Sequence, residues 1–194
     1  GDQRLGIQGQ RYASDGTALG GEFQANTYTT NAQQDPSVAM GPDGAFVVVW
    51  QSNGSPGSDQ DGYSIHGQRY ASDGSALGAE FQVNTFTTSN QNNPGVAMDD
   101  VGDFVVAWGS FGSVGSDSSL GSIQGQRYAS NGAAVGGEFQ VNSFTTSEQY
   151  LPAVATEPDG DFVVTWQNYE PSGTDTDGRS IQGQRYASNG AAVG

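Results

Sequence analysis

Residues 65–108 read IHGQRYASDGSALGAEFQVNTFTTSNQNNPGVAMDDVGDFVVAW, and this stretch decides the fold. Its apolar residues form short blocks between turn signals, with Asp73-Gly74 as a hairpin signal and alternation at period two over Glu80–Asn84. The block Phe104–Trp108 is continuously apolar, which indicates a strand covered on both faces of its sheet. No part of the stretch has helical periodicity. It therefore predicts four short antiparallel strands and no helix.

The same pattern returns every 58 residues. It defines units 7–64, 65–122 and 123–180 and a partial unit 181–194, so we predict that residues 1–194 form one repeat array. Tandem four-stranded antiparallel units covered on both faces are typical of an all-β fold with β-propeller-like blades. A stacked β-solenoid is the alternative, although Asp-Gly and Asn-Gly turns favour antiparallel hairpins. The positions kept in phase include Ile7, Ile65, Ile123 and Ile181, Arg11, Arg69, Arg127 and Arg185, and Trp50, Trp108 and Trp166.

Charge and composition exclude several classes of function. The chain of 194 residues has 21 acidic and 6 basic side chains, one His, no Cys and a formal charge of −15. Such a chain repels phosphate backbones and anionic lipids, so we expect no nucleic-acid partner. No apolar run approaches the roughly 18 residues of a membrane-spanning helix, so we expect no membrane insertion. The sequence also lacks a thiolate nucleophile, a zinc constellation and a repeated Ser-His-Asp set, and we predict that the chain is not an enzyme.

The units IQGQRYASDGTALGGEFQANTYTT (7–30) and PSVAMGPDGAFVVVWQSNGSPGSDQDGYS (36–64) resemble repeats of very large secreted bacterial proteins of the calcium-associated, hemolysin-type or adhesin-like kind. The resemblance spans nearly the whole chain and rests on the QRY, EFQVN and FVVxW blocks. It implies an extracellular or cell-surface bacterial module and implies no particular reaction. The glycine-rich nonapeptide that binds calcium in many such proteins is absent here.

Paired acids in the loops are the candidate metal ligands. Ser58–Gly62 and Thr174–Gly178 each place two carboxylates at alternate positions before a glycine. Such a loop can surround a hard cation, and Ca²⁺ takes about six to eight oxygen ligands. The alternative is that Asp, Ser and Gly form solvated turns. The candidate calcium ligands are Asp59, Asp61, Asp117, Asp175 and Asp177.

The repeated arginines face repeated glutamates across a predicted hairpin. We predict cross-strand ion pairs worth about 0.2–1 kcal/mol each, with Arg preferred to Lys because its planar fork matches a carboxylate. The alternative, a ring of cations for an anionic ligand, is disfavoured by the net negative charge. The one histidine, His66, takes a position that holds Gln in the other units and is interpreted as a tolerated polar substitution. The predicted pairs are Arg11 with Glu22, Arg69 with Glu80 and Arg127 with Glu138.

The variable loops lie on one side of the predicted sheets, where recognition usually occurs. The leading hypothesis is a non-catalytic extracellular module, a structural or adhesive scaffold that presents acidic loops. It would assemble head to tail with copies of itself or with further repeats of a longer chain, because about four blades are needed to close a propeller. A partner's strand completing a terminal blade is one form of this assembly. The alternative is a lectin-like carbohydrate-binding or calcium-binding module, with the loop aromatics Tyr63, Phe111 and Tyr169 forming sugar sites.

Overall fold

The computed structural model describes residues 5–55, 57–113, 115–117, 120–169 and 177–194. All regular elements in these ranges are strands, which confirms the all-β prediction. None of the described residues forms a helix long and apolar enough to cross a membrane. The strands are β1 (Gln8–Tyr12), β2 (Ala18–Gln24), β3 (Gln33–Met40), β4 (Phe46–Asn53), β5 (Tyr63–Tyr70), β6 (Ala76–Gln82), β7 (Gln91–Met98), β8 (Phe104–Ser110), β9 (Ser122–Tyr128), β10 (Ala134–Gln140), β11 (Gln149–Thr156), β12 (Phe162–Tyr169), β13 (Arg179–Tyr186) and β14 (Ala192–Val193).

The strands form tandem antiparallel sheets in chain order. A two-stranded sheet, β1-β2, precedes three four-stranded sheets, which we call blade one (β3–β6), blade two (β7–β10) and blade three (β11–β14). Each strand pairs with its neighbours in sequence, so every blade is a four-stranded meander. This confirms the predicted propeller-like units and disagrees with a stacked β-solenoid, whose strands pair in parallel.

The hydrophobic core lies between successive blades. One cluster joins Val49 and Ile65 of blade one to Phe104 and Trp108 of blade two, and equivalent clusters lie at the two other boundaries. All of β8 is buried, because one face packs on blade one and the other on blade three. A continuously apolar strand is therefore the sequence signature of a blade covered on both sides.

A glycine in the third strand of blades one and two makes room for an aromatic ring. A Cβ at Gly67 would lie 2.8 Å from Cζ of Phe81, and a Cβ at Gly125 would lie 2.7 Å from Cζ of Phe139. The ring of Phe81 in turn packs beside the stacked pair Phe104 and Tyr128, whose centroids are 4.8 Å apart. This glycine thus keeps the gap that the phenylalanine fills, and the phenylalanine joins one blade to the next.

The first strand of blade two contains a proline. The strand β7 starts at Gln91, three residues before Pro94. The register with β8 shifts between Asn92 and Gly95, and Asn93 has a left-handed φ of 55°. A bulge of this kind removes Pro94, which has no N–H, from the hydrogen-bond ladder.

The predicted Arg–Glu ion pairs are wrong. Arg69 lies opposite Leu77 in the register, and its guanidinium donates to the backbone carbonyl of Asn131 in blade two at 2.6 Å. Glu80 instead accepts from the backbone N–H of Thr27 at 2.7 Å, in the loop that precedes blade one. These long side chains reach to opposite neighbours, so they join blades rather than the strands of one hairpin. In the same way Arg11 donates to Ser72, Arg127 donates to Ser188, and Glu138 accepts from Thr85, while Glu22 is exposed.

Candidate functional site

Two of the recurring loop acids, Asp59 and Asp117, are buried rather than presented to solvent. Asp59 is 1% exposed, and its Oδ2 accepts a hydrogen bond of 2.8 Å from Nδ2 of Asn84. Its backbone N–H donates to Oε1 of Gln82, so the loop folds back onto the last strand of its own blade. Burial raises the pKa of Asp59, and the Asn84 bond opposes that change. The prediction of presented acids is corrected at Asp59 and at Asp117, which is equally buried and accepts from Asn142 at 2.8 Å.

The remaining metal candidates that the structure describes, Asp61 and Asp177, lie at the surface. Asp61 is exposed, and its carboxylate accepts from the backbone N–H of Ser89 at 3.0 Å. Asp177 is also exposed, and Asp175 lies outside the described residues. Among the residues that the structure describes, no group of three or more His, Cys, Asp or Glu side chains is placed to hold a metal. Calcium binding stays a prediction.

The structure gives His66 a specific partner. Its ring is buried, with Nδ1 3.0 Å from Oε1 of Glu80, which is also buried. The two atoms lie close together but are not aligned as a hydrogen bond. Burial raises the pKa of Glu80, but His66 and Thr27 together outweigh burial and hold this pKa below its ordinary value. His66 is therefore a buried partner of Glu80 at a blade boundary.

An open groove between blades two and three brings unrepeated side chains together. It has a volume of about 290 Å³ and is lined by Asn92, Phe111, Glu148, Tyr150 and Arg179 among others, and we call it the Tyr150 groove. Strands of both blades position these groups, since Asn92 is on β7, Tyr150 is on β11 and Arg179 begins β13. The backbone N–H of Gln149 donates to the carbonyl of Gly121 at 3.1 Å, which ties the two blades together beside the groove.

The chemistry of the Tyr150 groove is aromatic and polar at once. Cζ of Arg179 lies 5.4 Å from the centroid of the Tyr150 ring, within the range of a cation–π contact. The Tyr150 hydroxyl is buried and has no hydrogen-bond partner among the described residues. Phe111 is largely exposed, and Asn92 and Glu148 supply amide and carboxylate groups. Flat apolar faces beside convergent polar groups suit a ligand with both kinds of surface.

The sequence named only part of this site. Of the three aromatics proposed for sugar binding, Phe111 lines the groove, whereas Tyr63 lies on β5 and Tyr169 ends β12 without lining it. Tyr150 and Arg179 were missed. Both interrupt the repeat: Tyr150 stands where the other units have Gln34 and Asn92, and Arg179 stands where they have Tyr63 and Gly121.

Comparison with known proteins identifies no family. No family model matches the chain, and no curated protein matches it. Among solved structures, it is similar to the endo-arabinase from Bacteroides thetaiotaomicron VPI-5482, with 17% identity, a TM-score of 0.48 and coverage of 80% of this chain and 57% of that chain. This finding corrects the prediction that the chain is not an enzyme, because the similar structure is that of an enzyme. The chain spans little more than half of that enzyme's length.

Proposed function

We propose that this chain is an adhesin-like repeat module that binds carbohydrate in the Tyr150 groove. The observation that carries the proposal is the meeting of Tyr150, Phe111, Arg179 and Glu148 at one blade boundary. Sugar rings present C–H faces that pack on aromatic rings, and hydroxyl groups that exchange hydrogen bonds with amides, carboxylates and guanidinium groups. The blades act as a rigid frame, and the residues that interrupt the repeat supply the recognition.

The dimensions of the groove favour a short glycan. Its volume of about 290 Å³ lies near the lower end of the roughly 300–1,000 Å³ typical of small-molecule sites, so we expect one or two sugar rings to be enclosed. The Tyr150 hydroxyl has no hydrogen-bond partner among the described residues, and a buried polar group without a partner costs about 1–3 kcal/mol, which supports a hydroxylated ligand. A neutral glycan is favoured, since the chain carries a net charge of −15.

An extracellular or cell-surface location in a bacterium belongs to the same proposal. It is supported by the resemblance to secreted bacterial repeats. Head-to-tail contact with further repeats of the same kind is compatible with the Arg and Glu side chains that join the blades.

The experiment is a screen on an array of immobilised glycans, followed by calorimetric titration with the best neutral oligosaccharide. We expect Tyr150→Ala to weaken binding at least about tenfold, which corresponds to about 1.4 kcal/mol. Tyr169→Ala is the matched control, because Tyr169 is exposed and does not line the groove. Equal affinity for the two variants, or no glycan retained by the array, would overturn the proposal. A reducing-sugar assay on the same mixtures reports any cleavage.

A further inference from the structure

A second, larger cavity lies beside the two-stranded sheet. It measures about 490 Å³, and we call it the Met40 groove. Its wall is apolar and unusually exposed: Tyr12 is 64%, Val38 62% and Met40 60% exposed. Leu19 on β2 adds to the same surface. None of the described residues therefore covers this sheet face.

The repeat shows what covers such a face. One unit later, the counterpart of Val38 is Val96, which is only 8% exposed, and the counterpart of Tyr12 is Tyr70, at 5%. Val96 is covered by the first two strands of blade one, whose Val47 and Val49 belong to the same cluster. The Met40 groove is therefore the space that a two-stranded hairpin equivalent to β3–β4 would fill. Within the part of the chain that the structure describes, the β1 strand beside it pairs only with β2, and its other edge is open.

The complementary face is found at the other side of the array. Blade three exposes Ile181 at 69%, whereas its counterparts Ile65 and Ile123 are 0% exposed. Val163 and Thr165 of β12, the counterparts of the buried Val47 and Val49, are only half-buried. The face that a hairpin would need to fill the Met40 groove is therefore present on β11 and β12 of the same chain.

We propose that β11 and β12 of a second copy of this chain occupy the Met40 groove, and that β1–β2 replace β13–β14 of that copy beside β12. Residues 7–14 and 181–188 both read IQGQRYAS, so β1 can take the register of β13, with Tyr12 opposite Phe162. Addition of a strand to an open edge is a common mode of recognition, and exchange of identical elements creates it at low cost. The second copy continues the boundary that already joins the blades.

The exchange supplies partners for two exposed groups. Tyr12 would stack on Phe162 of the second copy as Tyr186 does at 4.8 Å, and its hydroxyl would reach the Val141 carbonyl as Tyr186 does at 3.3 Å. Glu22 would accept from Ser143 of the second copy, as Glu80 accepts from Thr27 at 2.7 Å and Glu138 accepts from Thr85 at 2.7 Å. The same bonds that join the blades within the chain thus recur between copies.

Reciprocal exchange closes a ring. Each copy contributes its own blades one and two. One further blade forms from β11–β12 of one copy and β1–β2 of the other, and this happens twice in the dimer. Two copies therefore form six blades related by a two-fold axis, within the roughly four to eight blades of known propellers. When β1 replaces β13 in this ring, Leu5 takes the position of Arg179, because the two residues are three repeats of 58 residues apart. A glycan that binds through Arg179 therefore favours the unexchanged chain and opposes the exchange. This last consequence rests on the proposed function, but the exchange itself does not.

Light scattering on the 194-residue chain is the first test. We expect a mass of about 40 kDa, twice 20.1 kDa, rather than the monomer mass. Tyr12→Ala should weaken the dimer at least about tenfold. Tyr186→Ala should strengthen it, because Tyr186 stabilises only the strand that is displaced. A monomer at all concentrations, or the same effect of both substitutions, would overturn the proposal. Circular dichroism identifies a variant that has simply unfolded.

Designed disulfides give a second readout, since the chain has no cysteine. Arg185 lies opposite Val163 in the unexchanged register, and Arg11 takes that position after exchange. Arg11→Cys with Val163→Cys should form covalent dimers on mild oxidation, visible on a non-reducing gel. Val163→Cys with Arg185→Cys is the matched control and should trap the monomer. Failure of the first pair to cross-link copies, while the control pair forms its disulfide, would overturn the exchange. Binding of glycan by a monomer that shows no cross-link would leave the Tyr150 groove supported and the exchange refuted.

Discussion

Replacing Asn84 by Ala tests how the buried acidic loop is held. Oδ1 of Asn84 accepts from the backbone N–H of Ile65 at 2.8 Å, and its Nδ2 donates to Oδ2 of Asp59 and to the carbonyl of Phe86, both at 2.8 Å. The substitution leaves the Ile65 N–H and the Asp59 carboxylate without these partners. Asn84, Asp59 and Ile65 are all buried, so water does not readily replace the lost hydrogen bonds.

The expected loss follows from these two groups. An unsatisfied buried N–H costs about 1–3 kcal/mol, and a hydrogen bond to a charged group contributes about 1.5–3 kcal/mol. Because the relaxed site recovers part of this, we expect Asn84→Ala to lower the free energy of unfolding by about 3–5 kcal/mol. For a chain of this size about 1 kcal/mol shifts the melting temperature by roughly 2–4 °C, so the drop should be about 6–20 °C. Urea unfolding followed by circular dichroism measures the loss of free energy, and thermal unfolding measures the drop in melting temperature.

Asn26 supplies the matched control. It accepts from the Ile7 N–H at 2.8 Å and donates to the Tyr28 carbonyl at 2.7 Å, as Asn84 does in its own unit. The position one unit before Asp59 is a glycine, and no carboxylate among the described residues accepts a hydrogen bond from Asn26. Asn26→Ala should therefore cost less than Asn84→Ala by about 1.5–3 kcal/mol, the contribution of the charged bond. Equal losses would refute the role assigned to the carboxylate.

The pH dependence gives an independent check. Burial raises the pKa of Asp59 and the Asn84 bond lowers it, so removing Asn84 raises this pKa further above the ordinary 3.8. An acid whose pKa is higher in the folded state binds more protons when the chain is folded than when it is unfolded. Its contribution to the free energy of unfolding therefore becomes less favourable as the pH rises from the unfolded pKa through the folded pKa. The cost of Asn84→Ala should therefore be smaller at about pH 3 than at about pH 7. A cost that does not change with pH would contradict this reasoning.

Three further substitutions probe the blade boundaries, each by urea unfolding. Gly125→Ala should lower the free energy of unfolding by about 1–3 kcal/mol, because the added methyl group would meet Phe139 at 2.7 Å. Gly183→Ala should cost less, because its methyl group would meet Cγ2 of Thr165 at 3.3 Å. Equal costs would count against the packing argument. Arg69→Lys should cost about 1 kcal/mol through its bonds to Ser130 and Asn131, while Arg185→Lys, which loses no side-chain bond within the described residues, should be neutral. His66→Gln removes a contact that lowers the pKa of Glu80. An acid whose pKa is lowered by folding stabilises the folded state above the unfolded value of 4.5, and this stabilisation is lost as the pH falls. The variant should therefore lose stability less steeply than the parent between about pH 5 and 3, and an unchanged slope would rule this out.

The blades could be predicted from the sequence because their determinants are local. The Asp73-Gly74 turn and the continuous apolar run Phe104–Trp108 each specify one strand or hairpin, and the repeat places them three times in register. The ion pairs could not be predicted in the same way. Strand order puts Arg69 and Glu80 on one hairpin, but the two long side chains reach to different blades, and this direction is set by packing that no local pattern shows.

The candidate site was hidden by the same repeat that revealed the fold. Positions shared by all units, such as Trp108 and Asp117, hold each blade and its loop, so a search for recurring acids finds structural groups. Tyr150 and Arg179 occur once each in their phase and meet within blade three, on β11 and β13. They line a groove with Asn92 of β7 because blade three packs beside blade two. In an array of nearly identical units, a residue that differs from its counterparts is free of the common structural role. Recognition should therefore be sought where neighbouring units differ, and the Tyr150 groove is such a place.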